Sequence, residues 1–167
     1  LRGDRHAFDK LVDRYEGPLY SAAYRITGSV EDAMDAPQNA FVNADEKLNT
    51  FDPSYRFFSW IYRITVNQAL NLVGRRKHQT KLEHDSAVAT RGPAEVFDTV
   101  EIRGQLKRAL LELEPHYRTV IVLKHLEGFS YREISELLDI PEKTVKSRLF
   151  TARQRLRAIL TERGFAP

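Results

Sequence analysis

The sequence predicts an all-α protein, with two small helical domains at about 1–78 and 98–167 joined by a flexible linker at 79–97. Three observations predict it. Apolar residues recur at helical spacing through most of the chain, and no stretch alternates apolar with polar at the period of a half-buried strand. Between the two periodic blocks, "QTKLEHDSAVATRGPAEVF" loses periodicity and collects Ser, Thr, Gly and Pro among scattered charges, the composition of a mobile tether.

The elements follow in order. Phe8, Leu11, Val12, Tyr15 and Leu19 fall on one helical face, with Gly17-Pro18 expected to break or kink the run. Ser29 is placed to cap the next helix, with Asp32 three residues on as the carboxylate of a capping box. Behind it Val30, Ala33, Met34, Phe41, Ala44 and Leu48 keep the period. Pro37 falls inside that helix, where it removes one ladder bond at a cost of roughly 3 kcal/mol or a kink. Asp52-Pro53-Ser54 punctuates, and a third helix carries Phe57, Trp60, Ile61, Ile64 and Leu72 on one side. A lone Trp in such a helix is expected in the core. Beyond the linker the pattern resumes near Thr99 and runs through Ile102, Leu106, Leu110 and Leu113. Pro115 opens a further helix at its first turn, where the missing N–H costs nothing.

Residues 130–157, "SYREISELLDIPEKTVKSRLFTARQRLR", hold two short helices around a turn. Ser130 and Glu133 form a Ser-x-x-Glu capping box, and Ile134, Leu137 and Leu138 give the first helix its apolar stripe. Asp139-Ile140-Pro141 turns the chain. Val145, Leu149, Ala152 and Leu156 give the second helix its own stripe. Such a pair is either an αα-hairpin with a solvated charged face or a DNA-binding helix-turn-helix. Charge decides. From Pro141 to Arg163 seven basic residues face two acidic ones, a net +5 against +3 for the whole chain. Lys143, Thr144, Lys146, Ser147 and Arg148 are nearly all donors, as phosphates and base edges require. A second basic knot, Arg75-Arg76-Lys77-His78, ends the other long apolar-periodic segment.

Composition narrows the remaining classes. The chain is 42% hydrophobic and 29% charged, an ordinary folded protein rather than a disordered one. No apolar run approaches the roughly 20 residues that span a bilayer, so no membrane insertion of its own is expected. Without Cys there is no disulfide framework, thiolate nucleophile or zinc-thiolate site, which fits a reducing cytoplasm. A start at Leu1 rather than Met leaves room for residues ahead of it. The five His show no metal-ligand spacing. No glycine-rich phosphate loop, HExxH or Ser/His/Asp order stands out. Neither an enzyme nor a cofactor or metal site is expected.

"EGFSYREISELLDIPEKTVKSRLFTARQRLR" resembles the promoter-binding end of the extracytoplasmic-function (ECF) sigma factors of bacterial RNA polymerase, which read G-x-S-Y-x-E-I-A, a turn, then G-T-V-K-S-R-L. The first half is similar as well. "AFDKLVDRYEGPLYSAAYRITG", "VEDAMDAPQNAF" and "FDPSYRFFSWIYRITVNQALNLVGRR" resemble the successive helices of the family's sigma-two domain. The likeness implies a sigma-two-like bundle, a linker and a sigma-four-like helix-turn-helix domain. Its function would be that of a dissociable, cytoplasmic promoter-specificity subunit without catalytic activity. Its partners would be core RNA polymerase, promoter DNA and an anti-sigma factor that inserts between the domains or wraps them. The free protein is expected to sample several relative domain orientations.

The resemblance also implies residue roles. The family's D-x-x-Q-E helix docks on the polymerase, which here implicates Asp35, Gln38 and Asn39, with Asn39 standing where an acid is usual. The third helix and the loop before it resemble the part that opens the −10 element. Opening DNA requires bases to be unstacked and held. Phe58, Tyr62, Arg63, Asn67 and Asn71 supply aromatic, cationic and amide groups for that, expected on the side away from Ile61 and Ile64. Asn67 matches the family position associated with an unstacked base. Arg75, Arg76 and Lys77 suit upstream phosphates, or alternatively a helix C-terminus. At the −35 element Lys143, Thr144, Lys146, Ser147, Arg148, Phe150 and Thr151 would meet the groove, with Arg153 and Arg155 nearer phosphate. Thr151 stands where the family often has Arg. The rival functions are a helix-turn-helix regulator that needs no polymerase, and a protein-interaction bundle.

Overall fold

The computed structural model describes residues 5–46, 48, 51–52, 57–82 and 99–165. Its elements are α1 (Arg5–Thr27), α2 (Val30–Glu46), α3 (Phe57–Leu82), α4 (Thr99–Glu112), α5 (Pro115–Ile121), a π-helical turn (Val122–Leu126), α6 (Tyr131–Leu138) and α7 (Glu142–Glu162). Among the described residues there is no strand.

Helices α1, α2 and α3 pack on one another through small residues. Ala22, Ala23, Ala33, Ala36, Ala40, Ala44 and Ala69 are fully buried, which lets the backbones approach, and Leu19, Ile26, Phe41, Ile61, Tyr62 and Val66 fill the gaps. This packing carries α1 unbroken through Gly17 and Pro18, where the sequence suggested a break or kink. The tertiary contacts of one long buried stripe outweigh a single missing ladder bond. It also reassigns Val30 and Met34, expected in the core, to the surface. The buried side of α2 is set by alanines, Pro37 and Phe41, a weaker apolar signal than Val or Met.

The α1–α2 corner is tightly determined. Gly28 closes α1 at φ +73, donating its N–H to Tyr24 O at 2.9 Å. A Cβ there would lie 2.4 Å from Leu111 Cδ2 of α4. Ser29 caps α2 as expected, its Oγ accepting from Asp32 N–H at 3.3 Å. The Asp32 carboxylate pairs with Arg76 Nη2 of α3, 3.0 Å away, as an ion pair without hydrogen-bond alignment. Ser29 N–H donates to Thr27 Oγ1.

Pro37 lies within α2 and is buried. Its missing N–H leaves the ladder one bond short at the Ala33 carbonyl. Pro37→Ala should raise stability by about 1 kcal/mol, because relief of the roughly 3 kcal/mol interior-Pro cost exceeds about 1.6 kcal/mol for two lost ring carbons. Thermal unfolding checks it. A lower midpoint would mean the ring's packing outweighs the backbone cost.

In the second half α4, α5 and α6 pack on α7. Pro115 opens α5, as its sequence position implies. The Ser130–Glu133 capping box forms in both directions, Glu133 N–H to Ser130 Oγ at 3.2 Å and Ser130 N–H to Glu133 Oε2 at 2.8 Å. Asp139 turns the chain in the left-handed region at φ 52. Ile140 N–H then closes back on Ser135 O, and Ser135 Oγ donates to Ile140 O. Val145, Leu149 and Ala152 bury the inner face of α7.

The two halves touch. Helix α3 packs on α6, and α1 packs on α4, α5 and the π-helical turn. Tyr62 and Phe129 rings meet with centroids 5.0 Å apart. Arg25 pairs with Glu127, and Lys107 donates to the Tyr24 hydroxyl while sitting over its ring. Helix α3 continues to Leu82, so 79–82, expected as linker, is helical. No Gly or Pro occurs there to stop propagation. The rest of the expected linker, 83–97, lies outside the described residues.

Candidate nucleic-acid interface

On α7 the buried stripe leaves Lys143, Lys146, Ser147 and Phe150 on the outer face, all exposed, with Phe150 63% exposed at its centre. Thr144, Arg148 and Thr151 are half-buried along one edge. The exposed arginines on the two edges are oriented by neighbours. Arg155 pairs with Glu114 and stacks over Tyr117 at 4.5 Å, and Arg153 reaches His125. Lys146 lies 3.7 Å from Glu142 and 5.7 Å above the Tyr131 ring. A cationic rim around an apolar aromatic tip can meet phosphates outside and a thymine methyl within the groove.

On α3, Arg63, Asn67 and Asn71 are exposed at successive i+4 positions, and Arg75 continues the line. Phe58 is half-buried against Tyr15, 5.3 Å between centroids. Beside it Phe51, Phe57 and Trp60 form one ring cluster. Trp60, expected in the core, is half-buried at the edge of this cluster. Phe51 was not singled out from sequence, although the aromatic density of "FDPSYRFFSW" was the available signal.

Two residues expected on the DNA side are placed differently. Tyr62 is fully buried between Phe58 and Phe129, because the inner face of α3 is Ile61, Tyr62, Thr65, Val66 and Ala69 rather than the face marked by Ile64 and Leu72. Thr65 satisfies its hydroxyl on Ile61 O at 3.0 Å and so can line a core. Burial pushes the Tyr62 phenol well above its usual pKa, and the Glu127 carboxylate adds to the rise. Arg76 is turned toward Asp32 and Ser29 Oγ, bracing α3 to the start of α2. The Lys77 side chain lies outside the described residues.

On α2, Asp35, Gln38 and Asn39 are all exposed. Sequence reasoning missed their apolar companions. Val30, Met34 and Val42 are each more than half exposed and fall with Gln38 on one i+4 line. Beside that line Glu16, Gly17, Tyr20, Ala33, Met34, Pro37 and Gln38 line a groove of about 360 Å³.

Comparison with known proteins places both halves in one family. The Sigma-70 region 2 model matches residues 11–79, and the Sigma-70 region 4 model matches 103–156. The ECF RNA polymerase sigma factor SigW of Bacillus subtilis is 33% identical, covering 96% of this chain and 92% of SigW. The chain belongs to the ECF RNA polymerase sigma factors. The ECF sigma-E factor of Escherichia coli K12 is 34% identical over 92% of this chain and 86% of its own. Among solved structures, CnrH in complex with the cytosolic domain of CnrY has a TM-score of 0.71 at 29% identity, covering 96% of this chain and 92% of CnrH. Sigma factor RpoE in complex with the anti-sigma factor NepR from Bartonella quintana shares the fold, with a TM-score of 0.73 at 22% identity, covering 93% and 97%. This ECF sigma factor is thus an alternative sigma factor that binds RNA polymerase, a transcription initiation factor rather than a member of a known enzyme family.

Proposed function

We propose that the α2 face docks this sigma factor on core RNA polymerase, that the outer line of α3 engages the −10 element, and that α7 reads the −35 element. The observation that carries this reading is the α2 line of Val30, Met34, Gln38 and Val42 flanked by Asp35 and Asn39. It is an apolar strip with a polar margin, held open beside a groove. A helix-turn-helix regulator acting without polymerase has no use for it. The test is Met34→Lys, which places a charge in the strip without touching the core. Affinity for core polymerase should fall at least about tenfold, with helix content unchanged. Unchanged affinity would move docking off this face.

On this reading the first unit covers about 1–78 plus the helical extension to Leu82, and the second covers 98–167. At the −10 element Phe58 offers a ring, Asn67 and Asn71 offer amides, and Arg63 and Arg75 meet phosphate. The sigma factor carries out no catalysis of its own and works in the cytoplasm. Among the described residues no helix is long and apolar enough to cross a membrane. An anti-sigma factor restrains it, as the complexes of its structural relatives suggest.

A further inference from the structure

His125 belongs to no motif that the promoter-binding reading uses, yet it holds one of the arginines on the edge of α7. Arg153 donates from Nε and Nη2 to His125 Nε2, at 3.2 and 3.1 Å. A guanidinium has donors only, so Nε2 accepts both bonds and the ring proton sits on Nδ1. Burial, Arg153 and Lys124 all lower the ring's pKa, which favours this neutral form. The π-helical turn presents the ring. Its wide closure, Glu127 N–H to Val122 O at 3.0 Å, changes the helical register beside Lys124 and His125. Lys124 is tied down there by Phe129 O at 3.1 Å and the Tyr131 ring.

Nε and Nη2 form one edge of the planar guanidinium. With that edge on His125, the Nη1–Nη2 edge stays available as a two-pronged donor, the geometry that fits a phosphate. We propose that His125 is a positioning residue for promoter binding, orienting Arg153 so that its outer edge clamps a DNA backbone phosphate at the margin of the −35 element. This rests on the reading of α7 as the −35 helix. Both side chains are exposed, so the contact adds little to folding and its removal leaves the domain intact. Its effect lies in the rotamer freedom Arg153 no longer loses on binding.

The experiment is a double-mutant cycle on holoenzyme binding to a promoter fragment across a salt series, with His125→Ala, His125→Gln, Arg153→Ala and the double variant. Arg153→Ala should weaken binding about tenfold and reduce the salt slope by about one. His125→Ala should weaken it about threefold, and His125→Gln, whose side-chain carbonyl can accept from Arg153, should restore it. The double variant should match Arg153→Ala alone. An additive double variant would mean that His125 meets DNA itself, and would overturn the proposal. So would a failure of Gln to rescue, or a null effect of His125→Ala beside a clear Arg153→Ala defect. If Arg153→Ala changes nothing while Arg148→Ala still lowers promoter affinity, the proposal falls and α7 remains the −35 helix. If no α7 substitution affects promoter affinity, the underlying reading falls with it.

Discussion

Replacing Arg148 by Ala should weaken holoenzyme binding to its preferred −35 element by about 1–3 kcal/mol and leave a mismatched element nearly unaffected. Arg148 stands one turn after Thr144 and just before Phe150, on the half of α7 nearest the turn, where a recognition helix enters the major groove. It is half-buried, and a guanidinium can form paired bonds to a guanine edge. Arg155 lies two turns further on, tied to Glu114 and stacked on Tyr117. Arg155→Ala should therefore weaken binding evenly on all sequences and flatten the salt dependence. Fluorescence titration on matched and mismatched fragments separates the two effects. Equal losses on both fragments for both variants would rule out base readout by Arg148.

Phe129→Ala should expand the free protein. The contact between halves centres on the Tyr62–Phe129 ring pair, with Arg25–Glu127 and Lys107–Tyr24 at its margin. Exposed ion pairs contribute about 0–1 kcal/mol. Truncating a half-buried Phe costs about 2 kcal/mol, below the 3–5 kcal/mol of a fully buried one. With only weak ion pairs beside it, the contact opens when its main ring is removed, shifting the closed-to-open ratio by about thirtyfold for 2 kcal/mol. Small-angle scattering should show a larger radius of gyration for Phe129→Ala, and for the parent protein a curve that no single compact particle fits. Identical compact curves for both would show that the halves are held by contacts other than this pair.

What sequence made legible, and what it hid, divides along the range of the interactions. Local signals were readable. The Ser130–Glu133 box, Pro115 at a helix start, Ser29 as a cap and the Val145–Leu149–Ala152 stripe each depend on residues within one or two turns. Long-range pairings were not. Asp32 and Glu133 occupy the same position after a capping serine. Glu133 turns back to its cap, whereas the buried Asp32 turns to Arg76, which arrives from another helix. The face of α3 was misread by one residue because Thr65 and Ala69 mark a core weakly, and Tyr62 looked like a polar-faced aromatic. On α2 the error had the opposite sign: Val30 and Met34 looked like core and form an exposed strip instead. Periodicity identifies an apolar face but not whether its partner lies in the same chain. The π-helical turn that presents His125 left no periodic trace in a five-residue stretch.

The most direct test of the central claim is run-off transcription with core RNA polymerase over a library of promoters, with and without this chain. The account predicts transcripts from a restricted promoter set only when the chain is present, lost with Met34→Lys and reduced by Arg148→Ala. Promoter-specific DNA binding by the chain alone, with no transcript from any promoter in the presence of core polymerase, would contradict it.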